Sequence, residues 1–261
     1  ASGNCSVAMG NTTTASGNCS VAMGNTTTAS GNCSVAMGNT TTASGNNSVA
    51  MGYNTTAQAY SSLVLGRYNL ISGTTDTWIN TEPVFVIGNG TSSTATSNAF
   101  TVNKNGNTGI SRLPATNKLE VEGTASKTTA GDWLANSDRR IKTDILDIDN
   151  SIDLLMKLRP VKFRYTPEYI KLHPFIENKY YYNFIAQEYQ QVFPESVKGS
   201  GELLNGTNEE ILQIDTYNSQ IITIKAVQEL VKENEKLNKK IDELQNELVQ
   251  IKQLLQNIDS K

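Results

Sequence analysis

ASGNCSVAMGNTTT (residues 1–14) returns unchanged as residues 15–28 and 29–42. Residues 43–56 (ASGNNSVAMGYNTT) and 57–70 (AQAYSSLVLGRYNL) are degenerate copies. A fixed period means stacked units, each covering its apolar face with its neighbours. Fourteen residues are too few for a pair of helices but suffice for two short strands and two turns. In the first four copies a Ser-Val-Ala-Met-Gly run (Ser6, Val7, Ala8, Met9 and Gly10 in the first), and in the fifth Ser62-Leu63-Val64-Leu65-Gly66, alternates small and large side chains, the period of a strand. Small Ser and Ala suit the inside of a narrow coil. Val and Met, on the other face, need a further surface to cover them. Gly3 and Gly10, with Asn4 and Asn11, are read as turn residues tolerant of positive φ. So thin a coil encloses little apolar volume, and packing its Val/Met face against copies of itself is the expected solution.

The composition divides the chain. Residues 1–100 carry only Arg67, Asp76 and Glu82 as charges, although Asp, Glu, Lys and Arg make up 18% of the 261 residues. Two regions with such different surfaces are not expected to share one core. The net charge of -3 gives no pull toward nucleic acid or an anionic membrane, and no apolar run approaches the length of a membrane span. Residue 1 falls inside a repeat, so the sequence is expected to be part of a longer chain. Cys5, Cys19 and Cys33 occupy one repeat position and are read as one small buried residue copied three times, rather than a disulfide framework. His173 is the only histidine, so a multi-histidine metal site is impossible and a Ser-His-Asp triad has one candidate base. No cofactor is expected.

Residues 71–136 read as a β stem. Val84 to Ile87, Ala99 to Val102, Gly109-Ile110 and Lys118 to Val121 are short strand-like runs, and Lys104-Asn105-Gly106-Asn107 is a hairpin-type turn. Beyond it the chain is charged and mixed. Asp144 to Ile148 with Ser151 to Leu158 predicts a short helix ending near Arg159-Pro160. Val161 to Tyr165, Tyr181 to Ala186 and Glu210 to Ile214 predict strands, and Gln187 to Pro194 a helix stopped by its proline. A long helix over 218–258 follows. Its a positions are Val227, Asn234, Ile241, Leu248 and Leu255; its d positions are Leu230, Leu237, Leu244, Ile251 and Ile258. Such a heptad seam predicts a coiled coil, with Asn234 setting register. Trp78, Trp133 and Tyr180-Tyr181-Tyr182 are read as core or interface packing in preference to ligand binding.

Two resemblances add to this reading. The repeats over 1–70, with their Ser-x-Ala/Val-x-Gly core, resemble the head repeats of trimeric autotransporter adhesins, which form a left-handed parallel β-roll in three chains. The order Ser137-Asp138-Arg139-Arg140-Ile141-Lys142, Leu158-Arg159-Pro160-Val161, Phe184-Ile185-Ala186-Gln187-Glu188 and Val192-Phe193-Pro194-Glu195, then a coiled coil, resembles the intramolecular chaperone auto-processing domain of phage tailspikes, tail fibres and neck appendages. Asn183 departs from that pattern, which usually has Gly there. The combined expectation is a mainly β N-terminal half (β-roll over 1–70, stem over 71–136). An α+β chaperone domain over 137–217 and a coiled-coil helix over 218–261 complete an intertwined homotrimer.

The second resemblance implies self-cleavage at the Asn136-Ser137 bond, with Ser137 and Lys142 as the working pair of a single-turnover serine endopeptidase. Asp138, Arg140, Gln187 and Glu188 are candidates to support the pair, and Arg139 and Arg140 to depress the lysine pKa. The implied partners are two further copies of this chain and a host-surface receptor for the fibre, and the implied location is a virion. A fibre or adhesin with a permanent trimerisation domain is the competing reading. A third, a fibre with its own hydrolase, finds little support: Asp76, Glu82, Glu120, Glu122 and Asp132, the only acids before residue 137, are scattered.

Overall fold

A computed structural model describes residues 1–130, 134–204 and 206–259, side chains excepted at 258 and 259. Trp133, Asp132 and the Ile258 side chain lie outside the described residues. The repeats coil as a parallel β-solenoid. Each turn contributes one long and one short strand: β1 (Val7–Asn11), β2 (Thr14–Ala15), β3 (Val21–Asn25), β4 (Thr28–Ala29), β5 (Val35–Asn39), β6 (Thr42–Ala43), β7 (Val49–Tyr53) and β8 (Thr56–Ala57). β9 (Leu63–Arg67) is the last long strand. Pairing is in register at the repeat period, Val7 to Val21 and Thr14 to Thr28. Identical side chains therefore stack.

The interior is small and half polar. Ala22, Ala36, Ala50, Ala15, Ala29, Ala43 and Ala57 are fully buried, with Ser20, Ser34, Ser48, Thr27, Thr41 and Thr55. Ser20 and Ser48 hydroxyls donate to the carbonyls of Gly17 and Gly45 at 2.6 and 2.7 Å. The hydroxyls of Thr27, Thr41 and Thr55 have no partner among the described residues. Buried unpaired hydroxyls cost stability, so the solenoid does not owe its stability to this interior alone. The Val and Met side chains point outward, half-buried on the inner turns and exposed at Val7 and Met9.

Two expectations about the turns are corrected. The left-handed non-glycine positions are not Asn4 and Asn11 but the residues after them, Cys5 (φ 57°) and Thr12 (φ 53°), and their repeats; Gly10 is left-handed and Gly3 is not. Cys5, Cys19 and Cys33 are exposed free thiols on that outer corner, which Asn47 and Ser61 hold in the degenerate copies. The corner follows an Asn whose side chain bonds along the stack: Asn32 Oδ1 accepts from the Asn18 amide at 3.2 Å. Three identical copies give no internal contrast between an inner and an outer small residue, so the cysteine's side is invisible in the sequence.

Gly38 shows how tightly the turns approach. A Cβ there would lie 2.1 Å from the Gly52 carbonyl oxygen, and φ is +128°. Gly38→Ala is expected to destabilise the solenoid by about 3 kcal/mol or more, the scale of combined backbone strain and overpacking. Thermal melting followed by circular dichroism checks it; an unchanged transition would contradict so close a stacking.

The long sheet does not stop at residue 70. β10 (Pro83–Asn89) pairs parallel to β9, Phe85 opposite Leu63. β11 (Asn98–Asn103) and β12 (Thr108–Ile110) then add as antiparallel strands, and β13 (Leu119–Val121) adds parallel to β12. The expected turn joins β11 to β12, closed by the Asn103 amide on the Asn107 carbonyl at 2.8 Å, with Gly106 at φ +81°. The Lys104 side chain is fully buried, paired to Glu82 at 3.4 Å and roofed by the Trp78 ring at 5.2 Å. Trp78 is thus a lid on a structural cation, half exposed rather than core. Buried Glu120 accepts from the amides of Ala115, Thr116 and Asn117 and pairs with Arg112 at 3.2 Å.

The chain divides into two compact units. The first comprises residues 1–130, 165–178 and 200–210, the second everything else. Two segments after residue 137 therefore group with the stem. One holds α2 (Pro167–Leu172), a helix the sequence reading lacks, capped by the Thr166 hydroxyl on the Tyr169 amide and opened by Pro167. In the second unit α1 (Ser151–Met156) forms, but Asp144 to Ile148 are not helical. β14 (Val161–Phe163) pairs antiparallel with β15 (Tyr181–Asn183), and α3 (Ala186–Tyr189) is shorter than predicted. β16 (Val197–Leu203), also not foreseen, pairs with β17 (Glu210–Ile214), and α4 (Tyr217–Asp259) is the long helix.

Tyr189, Phe193, Val197 and Ile222 form the core of the second unit, with Leu154, Leu155, Leu158, Phe184 and Leu212 packed around them. Tyr180 and Tyr182 lie outside that core and are exposed in the single chain, flanking Lys162 at 4.3 and 5.7 Å. Among the described residues no helix is long and apolar enough to cross a membrane.

Candidate functional site: a serine and a lysine across a tight turn

Asp138 has the short acceptor side chain that favours a helix N-cap. Its carboxylate accepts from the Arg140 amide at 2.8 Å and starts a 3-10 turn over Arg139–Ile141. The same carboxylate holds the Arg140 guanidinium, Nη2 donating at 2.7 Å. That side-chain bond is the main reason the Asp138 pKa is lowered and the Arg140 pKa raised. The Lys142 amide donates to the Arg139 carbonyl at 3.2 Å, and an Arg139 guanidinium nitrogen donates to the Lys142 carbonyl at 3.1 Å.

One tight turn thereby folds residue 142 back over residue 137. The Lys142 Nζ donates to Ser137 Oγ at 2.6 Å. Asn136, Ser137 and Lys142 are all exposed, as is the whole turn. A hydroxyl needs a base to become a nucleophile, and an amine serves as one only when burial or neighbouring cations favour its neutral form. The single chain provides the contact but no burial. Of the two arginines expected to supply positive charge, Arg140 is neutralised by Asp138 and Arg139 is turned to a backbone carbonyl.

Of the other two candidates, Glu188 is engaged elsewhere. Glu188 forms a two-pronged ion pair with Arg159, Nε to Oε2 at 2.9 Å and Nη2 to Oε1 at 2.5 Å, and the Arg159 bond lowers its pKa. Gln187 is exposed in the same short helix. The neighbours of these two residues explain why the motif looks as it does: Phe184, Ala186, Tyr189 and Phe193 pack the core, and Glu195 accepts from the Asn218 side-chain Nδ2 at 2.9 Å. The Phe-Ile-Ala-Gln-Glu and Val-Phe-Pro-Glu runs thus act as scaffold. Asn183, in the place usually taken by Gly, caps its own turn by accepting from the Phe184 amide at 2.9 Å. No group of three or more His, Cys, Asp or Glu among the described residues is placed to hold a metal ion.

Residues 137–198 match the family Peptidase_S74, described as chaperone of endosialidase. Ser137, at the head of the turn, is the first residue matched. Residues 1–27, 20–41, 29–55 and 43–68 match the YadA head domain repeat. The two matches support a trimeric fibre or adhesin that carries a chaperone domain, extracellular or virion-associated in setting.

Proposed function

We propose that residues 137–261 are an intramolecular chaperone that gathers three chains, aligns their solenoids and stems, and then separates by cutting the Asn136-Ser137 bond. The 2.6 Å contact of Lys142 Nζ with Ser137 Oγ carries the chemical part of this reading. In the neutral state the amine takes the Ser137 hydroxyl proton as Oγ attacks the Asn136 carbonyl carbon. The C–N bond breaks, the proton passes to the departing Ser137 amine, and the Asn136 acyl group is left as an ester on Oγ. Water hydrolyses that ester, freeing the Asn136 carboxylate and the Ser137 hydroxyl. Attack by Ser137 on a neighbouring chain's bond follows the same balance. Asp138 and Arg140 support the pair by shaping the turn; Gln187 and Glu188 join it only through assembly. No cofactor is used.

The need for a removable template follows from folding physics. In-register stacking across three chains is non-local, slow and prone to misassembly. A coiled coil raises the local concentration of the chains, and its later removal leaves a kinetically trapped fibre on a virion, free to meet a host receptor. The exposure of both dyad residues favours one competing reading, a permanent trimerisation domain. Intact-mass analysis separates the two: wild type is expected as residues 1–136 and 137–261, and Ser137→Ala as a single 28.4 kDa chain. A wild type that stays whole in a folded trimer would leave only the permanent clamp.

A further inference from the structure

The lone histidine is clamped between two carboxylates in the first compact unit. His173, which follows α2, meets Glu122 Oε1 with Nδ1 at 2.7 Å and Glu202 Oε1 with Nε2 at 2.7 Å. The imidazole and both carboxylates are largely buried. A neutral imidazole donates from one nitrogen only, so the second carboxylate would face a lone pair; the doubly protonated ring satisfies both. Glu122 lies before the proposed cut, while His173 and Glu202 lie after it. The same docking brings Gly201 so close to Ala115 that a Cβ on Gly201 would lie 2.3 Å from the Ala115 Cβ.

We propose that this contact is a proton-gated latch, which keeps residues 165–178 and 200–210 fastened to the stem after the chain is cut and releases them when His173 loses its proton. The proposal rests on the cleavage reading above. Release is then a separate step from peptide-bond cleavage.

The groups facing the imidazole are Glu122 beyond β13, Glu202 on β16 and Tyr169 on α2, whose ring lies 4.2 Å away. Tyr165 stacks on the far side of Tyr169 at 5.4 Å, and Arg112 is held by Glu120. Burial lowers the His173 pKa, but the hydrogen bonds and charges of Glu122 and Glu202 outweigh it and the pKa is raised. Tyr169, desolvated and beside Glu202, is pushed up to about 12 and stays neutral throughout. A cation favoured on docking strengthens the latch fully below the ordinary histidine value of about 6.5, and the gain is lost as pH rises through the raised docked value.

The test has two arms. In the uncut Ser137→Ala chain, the NMR signal of the single imidazole is followed against pH. The midpoint is expected above the ordinary histidine value, and lowered by Glu122→Gln and by Glu202→Gln. An ordinary midpoint, or one indifferent to both substitutions, overturns the clamp. In wild type, the cut pieces are followed by size-exclusion chromatography at about pH 5.5 and 8.5, either side of the histidine range. They are expected to co-elute at the lower pH and to part at least about tenfold faster at the higher, one unit of proton linkage. His173→Gln should part at both. Separation at equal rates in wild type, or pH dependence kept by His173→Gln, overturns the latch while cleavage stands. A wild type never cut, with the midpoint raised, overturns the cleavage reading while the clamp stands.

Discussion

A chain carrying Lys142→Arg is expected to remain uncut, its self-cleavage slowed on the order of a thousandfold, the usual weight of a general base. The substitution separates two roles that Lys142→Ala would confuse. Arginine keeps the positive charge and can still donate to Ser137 Oγ, which now lies 2.6 Å from the lysine nitrogen. A guanidinium cannot give up its proton in a protein and so cannot take one from the hydroxyl. If the cation only orients Ser137 or polarises the Asn136 carbonyl, Lys142→Arg should cut well. If the amine moves a proton, it should fail as completely as alanine. The readout is intact mass over time, with circular dichroism to show that the fold persists. The site favours a clean result, because the exposed turn has room for the larger side chain and is held by Asp138 and Arg139 rather than by the Lys142 head group. Cutting by Lys142→Arg at the wild-type rate would remove the base from the proposed mechanism.

Much of this architecture is legible in the residues, and the exceptions have physical reasons. The solenoid follows from the period, with small Ser, Ala and Thr filling the interior of the repeats and Val64 and Val86 replacing them where the coil meets the stem. The helix of 43 residues follows from the unbroken heptad. The pairing of Ser137 with Lys142 is what the resemblance implies; the Asp138 cap, which closes a five-residue separation over one tight turn, is its local cause in the structure. Left-handed corners at Cys5 and Thr12 are not legible, because Gly and Asn next door are the better intrinsic candidates and stacking overrides that preference. The docking of residues 165–178 and 200–210 on the stem is equally hidden. It depends on His173 finding two carboxylates 51 residues upstream and 29 downstream. Pairing of that kind leaves no periodic trace. Glu188 is the converse case: a carboxylate in a strong motif attracts a chemical role, while in the single chain it pairs with Arg159.

The double variant Leu237→Asp/Leu244→Asp is expected to abolish trimerisation and, with it, the cut at residue 137. Both leucines are d positions of α4 and are 55% and 54% exposed in the single chain. Val227, Leu230, Ile241, Leu248, Ile251 and Leu255 are exposed on the same seam. Each such side chain gains about 1.5–3 kcal/mol when fully covered. Six of them across three chains, replaced by charges facing one another in the seam, exceed what the remaining positions can offset. The fold of the second unit should survive. Its core uses the start of α4, through Ile222 and the Ser151 hydroxyl that donates to Glu229 at 2.5 Å, well before the altered turns. Cleavage should fail for a different reason: Ser137 and Lys142 have their contact in one chain but no cover from water, and the proposed activation needs neighbouring chains to supply it. Sedimentation velocity and intact mass, read on the same samples beside a Lys239→Asp control off the seam, decide the matter. A monomer that stays whole ties the chemistry to assembly. A monomer that still cuts places activation within one chain, and a variant that stays trimeric assigns assembly to the outward Val and Met face of the solenoid, leaving the coiled coil as an aligner rather than the initiator.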